Sequence, residues 1–120
     1  MIRPLQETRT FETEFGPMAI VLHDILWVDG TCKDVTASAR LHLNNQVVTC
    51  KNTFEELLPL LGDAFLFCLT RGAVNQLRIR RFETKQIVFD TGESVPVDPF
   101  LSSRYREKYC RDMACQVWED

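Results

Sequence analysis

The sequence predicts a mainly β domain with one short helix in mid-chain and a second helix near the C-terminal end. Three observations lead there. Apolar residues recur mostly at every second position, the period of a strand. A single capping signature, Thr53 followed three residues later by Glu56, opens a helix-like run between strand-like ones. The two helical segments do not alternate with strands, as a parallel doubly wound sheet would require.

Taken in order, "TFETEF" (10–15) alternates apolar and polar residues as a half-buried strand does, and Gly16-Pro17 breaks it. "MAIVLHDILWV" (18–28) is apolar and rich in β-branched residues, and reads as one or two buried strands split near His23-Asp24. Asp29-Gly30 is a turn signal. The polar stretch after it, 31–38, fits either strand or loop. "ARLHL" and "QVVTC" flank Asn44-Asn45, which suits a two-residue hairpin because Asn tolerates positive φ.

"NTFEELLPLLG" (52–62) then takes helical spacing. The Thr53 hydroxyl accepts an orphan N–H and Glu56 reaches back, Pro59 keeps the helix short, and Gly62 suits its end. "AFLFCLT" (64–70) returns to strand, Arg71-Gly72 reads as a turn, and "AVNQLRIRRF" (73–82) resumes as strand. "KQIVFDTGESVPV" (85–97) forms a second hairpin around Asp90–Glu93. Asp98-Pro99 starts the last helix, with Asp as N-cap and Pro in the first turn. Leu101, Tyr105, Tyr109 and Met113 recur at i+4 as its apolar stripe.

The chain has 120 residues, enough for a single domain, taken as 1–120. Its 45% hydrophobic and 26% charged residues are ordinary for a soluble globular fold. There is no apolar run of the ~20 residues that crosses a bilayer, and the first fifteen residues lack the apolar core of a secretory signal. The expected compartment is the cytoplasm. The five cysteines, Cys32, Cys50, Cys68, Cys110 and Cys115, include no C-x-x-C, and His23 and His42 stand apart. They read as reduced thiols rather than metal ligands, and no cofactor is expected. No Gly-x-Ser-x-Gly, P-loop or His-Glu-x-x-His pattern occurs, so an enzyme is not expected.

Charge is unevenly placed. The chain carries 14 Lys and Arg against 17 Asp and Glu, yet residues 64–82 hold four arginines and no acid. A basic block in an acidic body is either a solvated strand face or a surface that meets phosphate.

The ordered set "DILWVDG", "NTFEELLPLL", "AFLFCLTRGAVNQLRI" and "TGESVPV" before a terminal helix resembles the LytTR family of DNA-binding domains over roughly residues 5–110. The most specific pieces are Phe65 through Val74-Asn75, followed by Ile79, and Gly92 through Pro96-Val97. The resemblance implies stacked antiparallel β-sheets with few helices, and a transcriptional regulator that reads promoter DNA by loops inserted in the major groove. Such domains usually follow a receiver domain or a membrane segment, so a stand-alone regulator or a fragment is expected. The partners implied are double-stranded DNA, a second copy of the chain, and an upstream sensor or regulatory protein.

The candidate DNA-binding residues are Lys33, Thr36 and Ser38 in the first polar loop, Thr70 and Arg71 in the second, and Arg104 on the last helix. Arg71 is placed to contact phosphate or guanine, and Thr70 to donate to phosphate. Arg104, Lys108 and Arg111 form a stripe that either tracks a DNA backbone or faces solvent. Arg78 and Arg80 flank Ile79 and are expected to share one solvated face, paired with acids such as Glu83 or Asp90. Asn75 is expected to bond backbone at a loop base. Where the family usually has a basic residue and a His, this chain has Phe67 and Leu69, and Asp98-Pro99 replaces the family's Ser-Arg. Those apolar replacements, with Phe100, support a second reading: an interaction or dimerisation module that no longer reads DNA.

Overall fold

A computed structural model describes residues 7–30, 38–69 and 72–113. Among these residues ten strands form three antiparallel sheets, and two α-helices pack on them. Strands β1 (Thr8–Thr13) and β2 (Gly16–Val21) make a hairpin. Its two-residue turn is Glu14-Phe15, held by Thr13 Oγ1, which accepts from the Phe15 N–H and donates to the Gly16 carbonyl. The break therefore falls before Gly16, not at Gly16-Pro17. Gly16 takes φ 97°, which only glycine adopts freely. Pro17 sits inside β2, tolerated because a two-stranded sheet has an unpaired outer side.

A turn of 3-10 helix, Leu22–Asp24, separates β2 from β3 (Ile25–Gly30), as the split near His23-Asp24 predicts. Asp29-Gly30 is no turn: both residues stay in β3 and pair with β4 (Ala39–Leu43). Asn44-Asn45 turns β4 into β5 (Gln46–Thr49), with Asn45 at φ 60°. Helix α1 (Phe54–Leu61) carries the complete capping box, Thr53 and Glu56 each bonding the other's backbone N–H.

Next come β6 (Phe65–Leu69) and β7 (Gly72–Asn75). The run that reads as one strand from Ala73 to Phe82 is interrupted: Gln76–Arg78 form a 3-10 turn, and β8 (Ile79–Phe82) belongs to a different sheet. Strands β9 (Gln86–Phe89) and β10 (Ser94–Pro96) complete it as the expected hairpin. Helix α2 (Pro99–Met113) starts as predicted, with Asp98 Oδ1 accepting from the Phe100 N–H at 2.8 Å.

The central sheet has the order β5-β4-β3-β7-β6. One face, through Val28, Leu41, Val48 and Ala73, packs on the β1-β2 hairpin and α1. The other, through Leu66, Cys68 and Val74, packs on the β8-β9-β10 sheet and on Tyr109 of α2. A sheet buried on both faces makes this a stacked, three-layer domain.

The three described arginines of the basic block divide. Arg78 is buried and ion-paired with Asp90, whereas Arg80 is exposed, so the two share no face. Arg81 is exposed and lies 3.4 Å from Glu83. Asn75 is fully buried; its amide donates to the Ile25 carbonyl and its Oδ1 accepts from the Leu77 N–H, the structural role expected of it.

Candidate functional site

Antiparallel register brings the residues that flank the two predicted loops to one end of the central sheet. Gly30 pairs with Ala39, so segment 31–37 leaves and re-enters there. Asp29 pairs with Gly72 and Leu69 with Gly72, so residues 70–71 leave from the same end. The roots lie on four consecutive strands, β4-β3-β7-β6, a width of about 15 Å at the usual inter-strand spacing. The β5–α1 connection ends there too: the Cys50 N–H donates to the Ala39 carbonyl, and the Ala39 N–H to that of Asn52.

The root at Gly72 is built on close approach. A Cβ there would stand 2.5 Å from the Val28 carbonyl oxygen and 3.0 Å from Leu69 Cδ1. Gly72 is thus a strand residue that lets β7 approach β3, rather than the turn glycine its sequence context implies.

Beside these roots a polar chain crosses the sheet. The Trp27 and His42 rings are stacked, with centroids 4.0 Å apart and planes 10° apart. His42 Nε2 lies 2.6 Å from Asp29 Oδ2, and Arg40 Nε donates to Asp29 Oδ1 at 3.0 Å. Burial works against the Asp29 carboxylate, but the bonds from His42 and Arg40 outweigh it and hold its pKa below the ordinary value. The group can therefore orient a guanidinium and keep a carboxylate charged. Among the described residues no three His, Cys, Asp or Glu side chains converge as metal ligands. No helix among them is long and apolar enough to cross a membrane.

No protein-family model matches the chain, and no curated protein matches it significantly. Among solved structures it matches the LytTr DNA-binding domain of a protein described as a methyl-accepting/DNA response regulator from Bacillus cereus. The match has a TM-score of 0.65 at 23% identity and covers 83% of this chain and 94% of that one. The fold is LytTR-like.

On this LytTR-like frame the sequence-derived candidates fare differently. Lys33, Thr36, Thr70 and Arg71 lie outside the described residues. Ser38 is half-buried and engaged at the root of β4. Arg104 is exposed on α2, the helix that packs on β6, and Lys108 of its stripe is bound to Asp112 at 2.6 Å. Leu69 is half-buried in the second core and Phe67 meets the edge of Phe54, so part of the apolar replacement serves packing. Sequence reasoning missed Asp29, Arg40 and His42 as a unit. The alternation Arg40-x-His42 places both on one face of a strand, but their common partner depends on a β3–β4 register that an unassigned loop could not fix.

Proposed function

We propose that this chain is a transcriptional regulator that binds duplex promoter DNA through segments 31–37 and 70–71, each entering a major groove. The observation that carries the reading is the shared exit of both segments from one end of the central sheet in a LytTR-like fold. On this reading Lys33, Thr36, Ser38, Thr70 and Arg71 belong to the contact surface, and Arg71 supplies the strongest single contact, since a guanidinium can bond guanine or phosphate in two places. Arg104 adds a backbone contact from α2. The activity is binding without catalysis, and the compartment is the cytoplasm. The acidic whole weakens non-specific attraction, so specific binding rests on few phosphates and has a modest salt dependence.

Electrophoretic mobility shift with the DNA upstream of the chain's own operon tests the reading. A sequence-dependent shift at low salt, weakened in Arg71→Ala, is the expected result. No shift at low salt for the wild type would sink it.

A second reading, an interaction or dimerisation module on the same fold, draws on Phe100, which is 85% exposed in the first turn of α2. Light scattering decides it: a dimer that Phe100→Lys converts to monomer favours this reading.

A further inference from the structure

We infer that Arg40 is a DNA-phosphate contact beside the two loops, held in position by Asp29, with Lys51 as its neighbour. The inference rests on the DNA-binding reading and adds a surface that the loops themselves do not provide. Arg40 lies on β4, one residue from the Ala39–Gly30 pair where segment 31–37 is rooted. Its side chain is 46% exposed, and its one bond among the described residues uses Nε, on one edge of the guanidinium. The two Nη groups make no bond to a described residue.

The anchor is itself fixed. The second carboxylate oxygen of Asp29 is occupied by His42, and His42 is stacked on Trp27, which in turn stacks on Phe89 at 5.3 Å. A carboxylate bonded on both sides is a fixed acceptor for Nε, so Asp29 restricts the guanidinium while both Nη groups are left for another partner. Pre-orientation of this kind lowers the entropy lost when the fork meets a phosphate.

Lys51 supplies the second cation. Arg40 pairs with Thr49 on β5, and Val48 and Cys50 point into the core. Alternation along β5 directs Thr49 to the face that carries Arg40, and Lys51 follows in the connection whose Cys50 and Asn52 bond Ala39, the residue before Arg40. Lys51 is exposed, without an ion pair among the described residues. Glu12 and Glu14 adjoin this edge through backbone bonds to Lys51 and Thr49, and temper its charge. Two cations beside the loops suit the phosphates flanking an inserted loop. They carry no base information, so their effect is uniform across sequences.

The test is the salt dependence of DNA binding, measured by fluorescence anisotropy with a duplex the wild type binds and with a scrambled duplex. Circular dichroism melts establish that each variant is folded at the working temperature. Arg40→Ala and Lys51→Ala are each expected to reduce the slope of log K against log salt by about 0.9 and to weaken both duplexes alike. Arg40→Lys is expected to restore the slope. An unchanged slope in Arg40→Ala overturns the inference, as does a lost slope that Arg40→Lys fails to restore. If the wild type binds neither duplex, the functional reading falls and this inference with it; if it binds and only the slopes disagree, this inference alone falls.

Discussion

The guanidinium of Arg78 lies along the carboxylate of Asp90, Nε to Oδ2 at 2.7 Å and Nη2 to Oδ1 at 2.9 Å. The same guanidinium donates to the His23 carbonyl at 2.7 Å and to Asn44 Oδ1 at 3.2 Å. One side chain thus ties the β2–β3 link, the β4–β5 turn and the end of β9. Arg78→Met should remove about 2 kcal/mol of stability, because it deletes the four hydrogen bonds of a buried guanidinium, whose acceptors on Asp90, Asn44 and His23 keep access to water. Urea unfolding measures it. At a temperature where the variant is folded, its DNA salt slope should match the wild type, since Arg78 joins layers at the hairpin-tip end of the sheet, away from the loop roots.

Gly72→Ala should destabilise by about 1–3 kcal/mol, the cost of overpacking a tight site. The methyl would meet the Val28 carbonyl at 2.5 Å, and a backbone atom inside a paired strand cannot step aside as a side-chain tip does. Thermal melting reads the loss. Gly92→Ala is the contrast: its Cβ would meet nothing within 4 Å, and its cost comes from φ 93° alone.

Features set by neighbours in sequence were legible. The Asn44-Asn45 hairpin, the Thr53–Glu56 box and the Asp98 cap each depend on chemistry within a few residues. Features set by distant partners were not. Gln76–Arg78 leaves strand geometry where Arg78 reaches Asp90, Asn44 and the His23 carbonyl, contacts 12 to 55 positions away. Asp29 has turn-like composition, yet stays in a strand because Arg40 and His42 satisfy its carboxylate from β4. The candidate site was legible as two loops and illegible as a surface, since Arg40 and Lys51 acquire meaning only through register.

Asp29→Asn should destabilise at neutral pH and lose its effect in acid. The folded-state pKa of Asp29 is depressed, so its contribution is complete above the unfolded carboxylate value of about 3.9 and fades as pH falls through the lower folded value. The melting-temperature gap between wild type and variant should therefore be widest at pH 6–7 and shrink once pH falls below the unfolded carboxylate value of about 3.9. A gap that stays constant across that range would show that Asp29 acts through packing rather than charge.

Thiol reactivity should separate the cysteines by burial. Burial pushes Cys50 up to about 11 and Cys68 to about 12, so neither offers thiolate at pH 8. Cys110 is exposed on α2. In a Cys32→Ser, Cys115→Ser background, Ellman's reagent should titrate one thiol rapidly in the native protein and three in denaturant. Fast reaction of a second thiol would mean that the sheet opens at β5 or β6 on the timescale of the assay, because neither buried sulfur can be reached while Val48 and Leu66 remain packed on either side of the sheet.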